Sequence, residues 1–279
     1  MKDLCRELAQ EHAALDEIVK GIGESKWDMI TPFDDWTIRQ EICHIAYFDD
    51  KARLAATDPD GFQTDMLEIL EGVTSVDEFL ANTVKDLMKF SSKALMDFWI
   101  NERTKMIKAI EVLEPQDKIP WYGPPMTAES FVIARMMETW AHGQDIADAL
   151  KIKRTPAERL KHIAHLGVKT FGWSYKNRGL EKPVEKVCVE LKSPSGETWR
   201  WNPEQTENSI TGSAEDFCLV VAQRRHIDDT RLMASGSIAR EWMTLAQVFA
   251  GPAERGPDAG KFKQISRILY DGKGVENGL

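Results

Sequence analysis

The apolar positions in the first half of the chain recur at helical spacing. Leu4, Leu8, Leu15, Ile18 and Val19 form one stripe, and Gly21-Ile22-Gly23 predicts its end, because glycine readily takes the left-handed conformation that closes a helix. Thr37-Ile38-Arg39-Gln40 has the spacing of a capping box, in which hydroxyl and amide satisfy N–H groups otherwise unpaired at a helix start. The helix it opens carries Ile38, Ile42, Ile45 and Phe48 towards a turn signal at Asp58-Pro59-Asp60-Gly61. A third helical pattern runs from Ser75 to Glu114, with a break near Ser91-Ser92, and stops before Pro115. Pro120 to Pro125, with Trp121 and Tyr122 inside it, reads as a rigid aromatic loop, and a fourth helix follows from Thr127 to Lys151. Four long amphipathic segments joined in this way predict an antiparallel four-helix bundle over residues 1–153.

The pattern changes after Lys153-Arg154-Thr155-Pro156. Thr155 is placed to cap a helix with Pro156 in its first turn, running to Tyr175. Val187 to Leu191 and Thr198 to Trp201 alternate around Ser193-Pro194-Ser195-Gly196, which predicts a β-hairpin. Helical spacing returns at 214–224 and 238–250, with a strand expected at 231–234 between them. Residues 154–279 therefore read as a smaller α+β domain.

Composition narrows the function classes. Of 279 residues, 42% are hydrophobic and 29% charged, an ordinary globular balance. The formal net charge of −9 argues against nucleic acid or an anionic membrane as partner, since both demand a basic face. The apolar run Phe217 to Ala222 is too short to span a bilayer. The charged start Met1-Lys2-Asp3-Leu4-Cys5-Arg6-Glu7 lacks the apolar core of a signal peptide. Cys5, Cys43, Cys188 and Cys218 are scattered without a C-x-x-C, as expected of free thiols in a reducing cytoplasm.

Only six histidines are present, and His142 stands four residues after Glu138. That spacing places both side chains on one helix face, where they can chelate one ion. His44 lies on another helix, and helical bundles build metal sites from facing helices. Two imidazoles and one carboxylate suit zinc and leave a coordination position open. The same donors also serve ferrous iron, nickel or another first-row divalent metal. On spacing alone the E-x-x-x-H signal is weak and a solvated polar stripe of Arg135, Glu138, His142 and Asp145 is the commoner reading, since Glu158 and His162 repeat the motif among basic residues.

Asp35-Trp36-Thr37-Ile38-Arg39-Gln40-Glu41-Ile42-Cys43-His44-Ile45-Ala46 resembles the W-T-[IV]-R-x-x-[IVL]-x-H-[IVL]-A signature of the mycothiol-dependent maleylpyruvate isomerase N-terminal domain. That domain belongs to the DinB-like group of metal-binding four-helix bundles. Arg135 to Ile146 resembles the second signature of the family, E-x-W-x-H-[GA]-x-D. The resemblance implies zinc held by His44, Glu138 and His142. A weaker likeness joins Gly212 to Arg224 to the segment G-x-x-x-[DE]-L-x-L-x-L-x-G-R of a C-terminal domain similar to sterol-carrier proteins. It makes Arg224 the counterpart of an arginine that faces the metal cleft, with Gln223 in place of the usual glycine. Arg225 follows directly, so the register stays open by one residue, and a solvated helix end is the competing reading. Overall the chain is most similar to a subgroup of this superfamily described only as metal-binding proteins.

What the resemblance implies is a zinc-dependent, thiol-assisted isomerase or transferase. A low-molecular-weight thiol adds to a conjugated cis double bond of a small, anionic substrate, and rotation and elimination give the trans isomer. Arg224 would bind the substrate carboxylate. Two other readings keep the metal: a hydrolase or hydratase using bound water, and a non-catalytic module whose second domain carries an apolar or acyl ligand. A monomer or homodimer serves any of these. Among the remaining candidates, Cys43 points roughly 100° away from His44 on a helix and reads as a small buried residue. Trp36 and Trp140 read as anchors around the site, and His162 and His165 as surface residues. Asp49 and Asp50 are either partners that orient His44 or a solvated helix end.

Overall fold

The computed structural model describes residues 1–33, 35–263 and 265. The chain divides into two compact units, Met1–Ile152 and Lys153–Leu279. Among the described residues no helix is long and apolar enough to cross a membrane.

The first unit is helical: α1 (Lys2–Val19), α2 (Ile38–Thr57), α3 (Pro59–Leu70), α4 (Val76–Val84), α5 (Ser92–Ile110) and α6 (Ala128–Leu150). The capping box at Thr37 forms as expected, with Gln40 N–H donating to Thr37 Oγ1 at 3.2 Å and Thr37 N–H to Gln40 Oε1 at 2.9 Å. The turn signal at Asp58-Pro59-Asp60-Gly61 ends α2 at Thr57, as expected, and opens α3 directly. Asp58 caps α3 by accepting from Gly61 N–H at 3.0 Å, and a Cβ at 61 would collide with that carboxylate. The third pattern resolves into α4, a 3₁₀ turn at Leu87–Lys89, and α5, which begins at the expected break with Ser91 as its cap. Between α5 and α6, β1 (Lys118–Ile119) and β2 (Met126–Thr127) pair antiparallel and bracket the aromatic loop.

Helix α2 packs on α5 and α6, and α1 on α6 and α5. One apolar cluster gathers Leu15, Ile38, Ile42, Ile45, Leu95, Trp99 and Ile146; another gathers Leu8, Phe62, Met106, Phe131 and Met136. At the centre lies a charged knot. Asp49 on α2 is fully buried and accepts from Trp99 Nε1 at 2.7 Å and Arg135 Nε at 2.9 Å, with His12 Nε2 3.4 Å away. The four long helices thus meet at one carboxylate. Burial alone would raise its pKa, but the Arg135 charge and the contacts with His12 and Trp99 hold it well below the usual carboxylate range. Asp49 therefore neither orients His44 nor meets solvent, and Asp50 pairs with Arg53 at 2.6 Å.

The second unit joins α7 (Leu160–Lys169), α8 (Phe171–Lys176), α9 (Ala214–Val221) and α10 (Ser237–Leu245) to a four-stranded sheet of order β4-β3-β5-β6. Strands β3 (Cys188–Lys192) and β4 (Thr198–Trp201) form the expected hairpin, with Leu191 opposite Trp199. Strand β5 (Ser209–Ser213) runs parallel to β3, and β6 (Met233–Ser235) antiparallel to β5. The helix expected from Thr155 starts only at Leu160. Glu158 lies ahead of it and accepts from Ser195 N–H at 2.8 Å, which ties that segment to the hairpin turn. Glu158 and His162 therefore do not share a helix face.

Candidate metal centre

Helix α6 positions most of the candidate donors. Thr127 caps it by accepting from Ser130 N–H at 3.2 Å, and almost every residue from Phe131 to Asp148 is buried. The stripe Arg135, Glu138, His142, Asp145 points inward: Arg135, His142 and Asp145 are 4%, 5% and 2% exposed, while Glu138 keeps a quarter of its side chain in contact with solvent. The solvated-stripe reading fails on this burial.

Helix α2 supplies the opposing face. His44 stands with its ring centre 4.6 Å from that of His142. One donor atom each from His44, Glu138 and His142 lies within 4.8 Å of the others. His142 Nε2 is 3.3 Å from Glu138 Oε2, close to the edge of about 3.4 Å expected between donors on a tetrahedral ion with bonds of about 2.1 Å. Burial would raise the Glu138 pKa, but the hydrogen bond with His142 and the charges of His142, Arg135 and His44 pull it down to about 2. The carboxylate is ionised across the neutral range, as a metal ligand must be.

One turn before His44 sits a residue that the sequence reading left unassigned. Glu41 is fully buried, accepts from Thr31 Oγ1 at 2.9 Å and lies 2.6 Å from His142 Nδ1. A carboxylate on the far ring nitrogen fixes the tautomer and makes the near nitrogen a better ligand. Thr31 is held by its N–H donating to Trp36 O at 2.6 Å. The same turn lays the Trp36 ring parallel to His142, 6.1 Å away, and edge-on to His44 at 5.2 Å. Phe48 closes the other side of His44 at 4.7 Å and leads into an aromatic group of Tyr47, Phe79, Trp121 and Tyr122. Two imidazoles and a carboxylate, one imidazole backed by a second carboxylate, are a donor set that fits zinc. Cys43 is buried, and burial pushes its thiol up to about 12. Trp140 is also buried.

In the second unit, Arg224 and Arg225 follow α9 and are 4% and 2% exposed, so a solvated helix end does not describe them. Arg224 Nη1 donates to Ala222 O at 2.9 Å, and the Arg225 guanidinium lies over Phe262 at 4.5 Å. Gln223 has φ +58°, the left-handed region that glycine enters without cost, and its Nε2 donates to Ala246 O at 3.0 Å. Glu215, in the first turn of α9, is a further group that sequence spacing did not mark. Burial and then Asp216 raise its pKa to about 7, against the pull of Arg154, Lys153 and Arg225. A raised acid keeps its proton in the fold after the unfolded chain has lost it, so it subtracts stability as pH rises from about 4.5 to about 7. Glu215→Gln is expected to flatten that part of the melting temperature profile, and an unchanged slope would contradict the assignment.

Fold and donors together define a class: a helical unit with a two-histidine, one-glutamate centre, followed by a mixed α/β unit. Residues 8–147, half of the chain, match the family model described as the mycothiol maleylpyruvate isomerase N-terminal domain. The chain belongs to this family. A second model, wyosine base formation, matches residues 183–235. The uncharacterized protein Rv0036c of Mycobacterium tuberculosis strain H37Rv is 39% identical over 250 residues, covering 90% of this chain and 96% of that protein. The uncharacterized protein MT0041 of strain CDC 1551 / Oshkosh has the same identity and coverage. Among solved structures, a mutant of the mycothiol-dependent maleylpyruvate isomerase aligns with a TM-score of 0.55 at 15% identity, over 84% of this chain and 92% of that one. The unmutated enzyme gives 0.53 over 80% and 89%. At such identity the two structures speak to the fold.

Proposed function

We propose that the protein is a zinc-dependent, thiol-assisted isomerase or transferase acting on a small unsaturated or electrophilic acid. The observation that carries this reading is the convergence of His44, Glu138 and His142 within 4.8 Å, with Glu41 behind His142. The likeness to maleylpyruvate isomerases adds the reaction class. On this reading the first unit is a DinB-like four-helix bundle, the second a relative of sterol-carrier domains, and the protein works in the cytoplasm.

A divalent ion held by these three residues supplies Lewis acidity and lowers the pKa of a thiol beside it. The protein does the rest. Glu41 holds a proton on His142 Nδ1 and so leaves the Nε2 lone pair free for the ion that Glu138 would share. Trp36 and Phe48 flank the two imidazoles and restrict water. Arg224 offers the planar fork that suits a substrate carboxylate. The thiol comes from outside the chain. Burial keeps Cys5 at about 11 and Cys43 at about 12, and raises Cys188 and Cys218 as well, so none is a ready nucleophile.

The test is turnover of a cis-unsaturated dicarboxylic acid by the zinc-loaded protein with and without a low-molecular-weight thiol. Thiol-dependent isomerisation is expected, whereas thiol-independent hydration or hydrolysis would reject it. Glu41→Leu should weaken zinc binding by about 10–100-fold while leaving the three donors in place. Competition with a chromophoric chelator measures this, and an unaltered affinity removes Glu41 from the account.

A further inference from the structure

An aromatic band runs outward from the metal donors. Phe48 stands one turn after His44 on α2, with its ring centre 4.7 Å from the imidazole. It meets Tyr47 of the same helix at 5.2 Å, Phe79 of α4 at 6.3 Å, and Trp121 and Tyr122 of the β1–β2 loop at 6.0 and 5.6 Å. Phe79 and Tyr122 also touch each other at 5.4 Å. The loop is held in place: Trp121 stacks on Phe62 of α3 at 5.6 Å and meets Phe131 of α6 edge-on at 4.9 Å. The Tyr47 and Tyr122 hydroxyls share a hydrogen bond of 3.2 Å. The rings are thus set before any ligand arrives, which removes an ordering cost from binding.

A buried core would account for such a cluster, but these rings are not all buried. Phe48 is buried, whereas Tyr47, Phe79, Trp121 and Tyr122 each keep part of their surface in solvent. Glu138 does the same at the metal end, with a quarter of its side chain exposed. Solvent therefore reaches both the donors and the rings beside them. Half-open aromatic faces next to a reactive group suit the apolar part of a ligand held by that group. Charge narrows what that part is. The Lys51 ammonium lies over the Tyr47 ring at 5.1 Å, but Asp65 holds it at 2.6 Å and Asp50 stands 3.9 Å away. The band offers ring faces and a paired charge, so its occupant is uncharged.

We infer that the acid handled at the metal centre carries a neutral aryl group, which lies beside Phe48 against Phe79 and Tyr122; this rests on the reading that His44, Glu138 and His142 hold zinc. Hydroxamates chelate zinc, so they anchor a probe at the ion whatever else they carry. The zinc-loaded full chain is titrated calorimetrically with acetohydroxamate, with cinnamohydroxamate, and with a hydroxamate that bears a trimethylammonium group in place of the phenyl. Cinnamohydroxamate should bind about tenfold more tightly than acetohydroxamate, the gain expected of a partly buried ring. Phe79→Ala and Tyr122→Ala should each cut that advantage by about threefold. Both variants should bind acetohydroxamate as the wild type does, which reports an intact centre. Equal binding of the two probes by the wild type, an advantage that survives both variants, or a trimethylammonium probe as tight as cinnamohydroxamate would overturn the aryl assignment and leave the metal centre standing. If no hydroxamate binds, the metal centre fails and the aryl assignment with it.

Discussion

Alanine at His142 is expected to lower zinc affinity by well over a hundredfold and to destabilise the helical unit at the same time. Losing an outer partner such as Glu41 costs about 10–100-fold, and His142→Ala removes a ligand together with that partner's purpose. It leaves Glu41 fully buried, with the Thr31 hydroxyl still donating to it, and a buried carboxylate stripped of a partner costs about 3–5 kcal/mol. Zinc at 100 times its dissociation constant should stabilise the wild type by about 2.7 kcal/mol. Thermal melts with and without zinc read both effects. The wild type should gain stability from the ion and His142→Ala should gain none. A variant that still gains as much would exclude His142 as a ligand.

The second large effect lies at Asp49. Its carboxylate ties Arg135 of α6, Trp99 of α5 and His12 of α1 to α2, at 0% exposure. Asp49→Ala leaves the Arg135 guanidinium buried without its charge partner, and such a loss costs about 3–5 kcal/mol. Against a typical total of about 5–15 kcal/mol this is a severe change, on the order of 10 °C in the melting of the first unit. Asp49→Asn keeps an acceptor for Trp99 but not the charge and should fall between. The pH response carries the same signature. The Asp49 pKa lies below its ordinary 3.8, so its contribution is full above that pH and fades as pH falls towards the depressed folded value. Asp49→Ala should therefore be less sensitive to acid than the wild type. Urea titrations at pH 7 and pH 2.5 decide, and a loss below about 1 kcal/mol at pH 7 would mean that other contacts hold the four helices.

What was legible in the sequence was local. The Thr37 capping box and the β3–β4 hairpin are written in residues three to twelve apart, and both form. Strand β5 escaped notice because Ser-Ile-Thr-Gly-Ser buries a single large apolar side chain, Ile210, and its partner β3 lies parallel and distant in sequence. Parallel pairing leaves no short-range turn signal. The inward aspartate was in principle readable: Asp49 follows Ile45 by one turn on the buried face, while Asp50 is rotated towards the surface. Glu41 carried a similar mark, an acid one turn before His44 between Ile38 and Ile45. Spacing alone could not separate Glu138 and His142 from a solvated stripe, because that distinction depends on what α2 presents to α6. The likeness of the two segments around His44 and His142 to one family supplied the pairing, and the burial of Arg135, His142 and Asp145 removes the solvated alternative.

Metal stoichiometry tests the central claim most directly. Elemental analysis of the purified full chain beside His44→Ala and Glu138→Ala, each reloaded with zinc and dialysed against the same buffer, should give close to one zinc per wild-type chain. Both variants should fall far below one. Equal, substoichiometric zinc in all three proteins would contradict a metal centre at His44, Glu138 and His142.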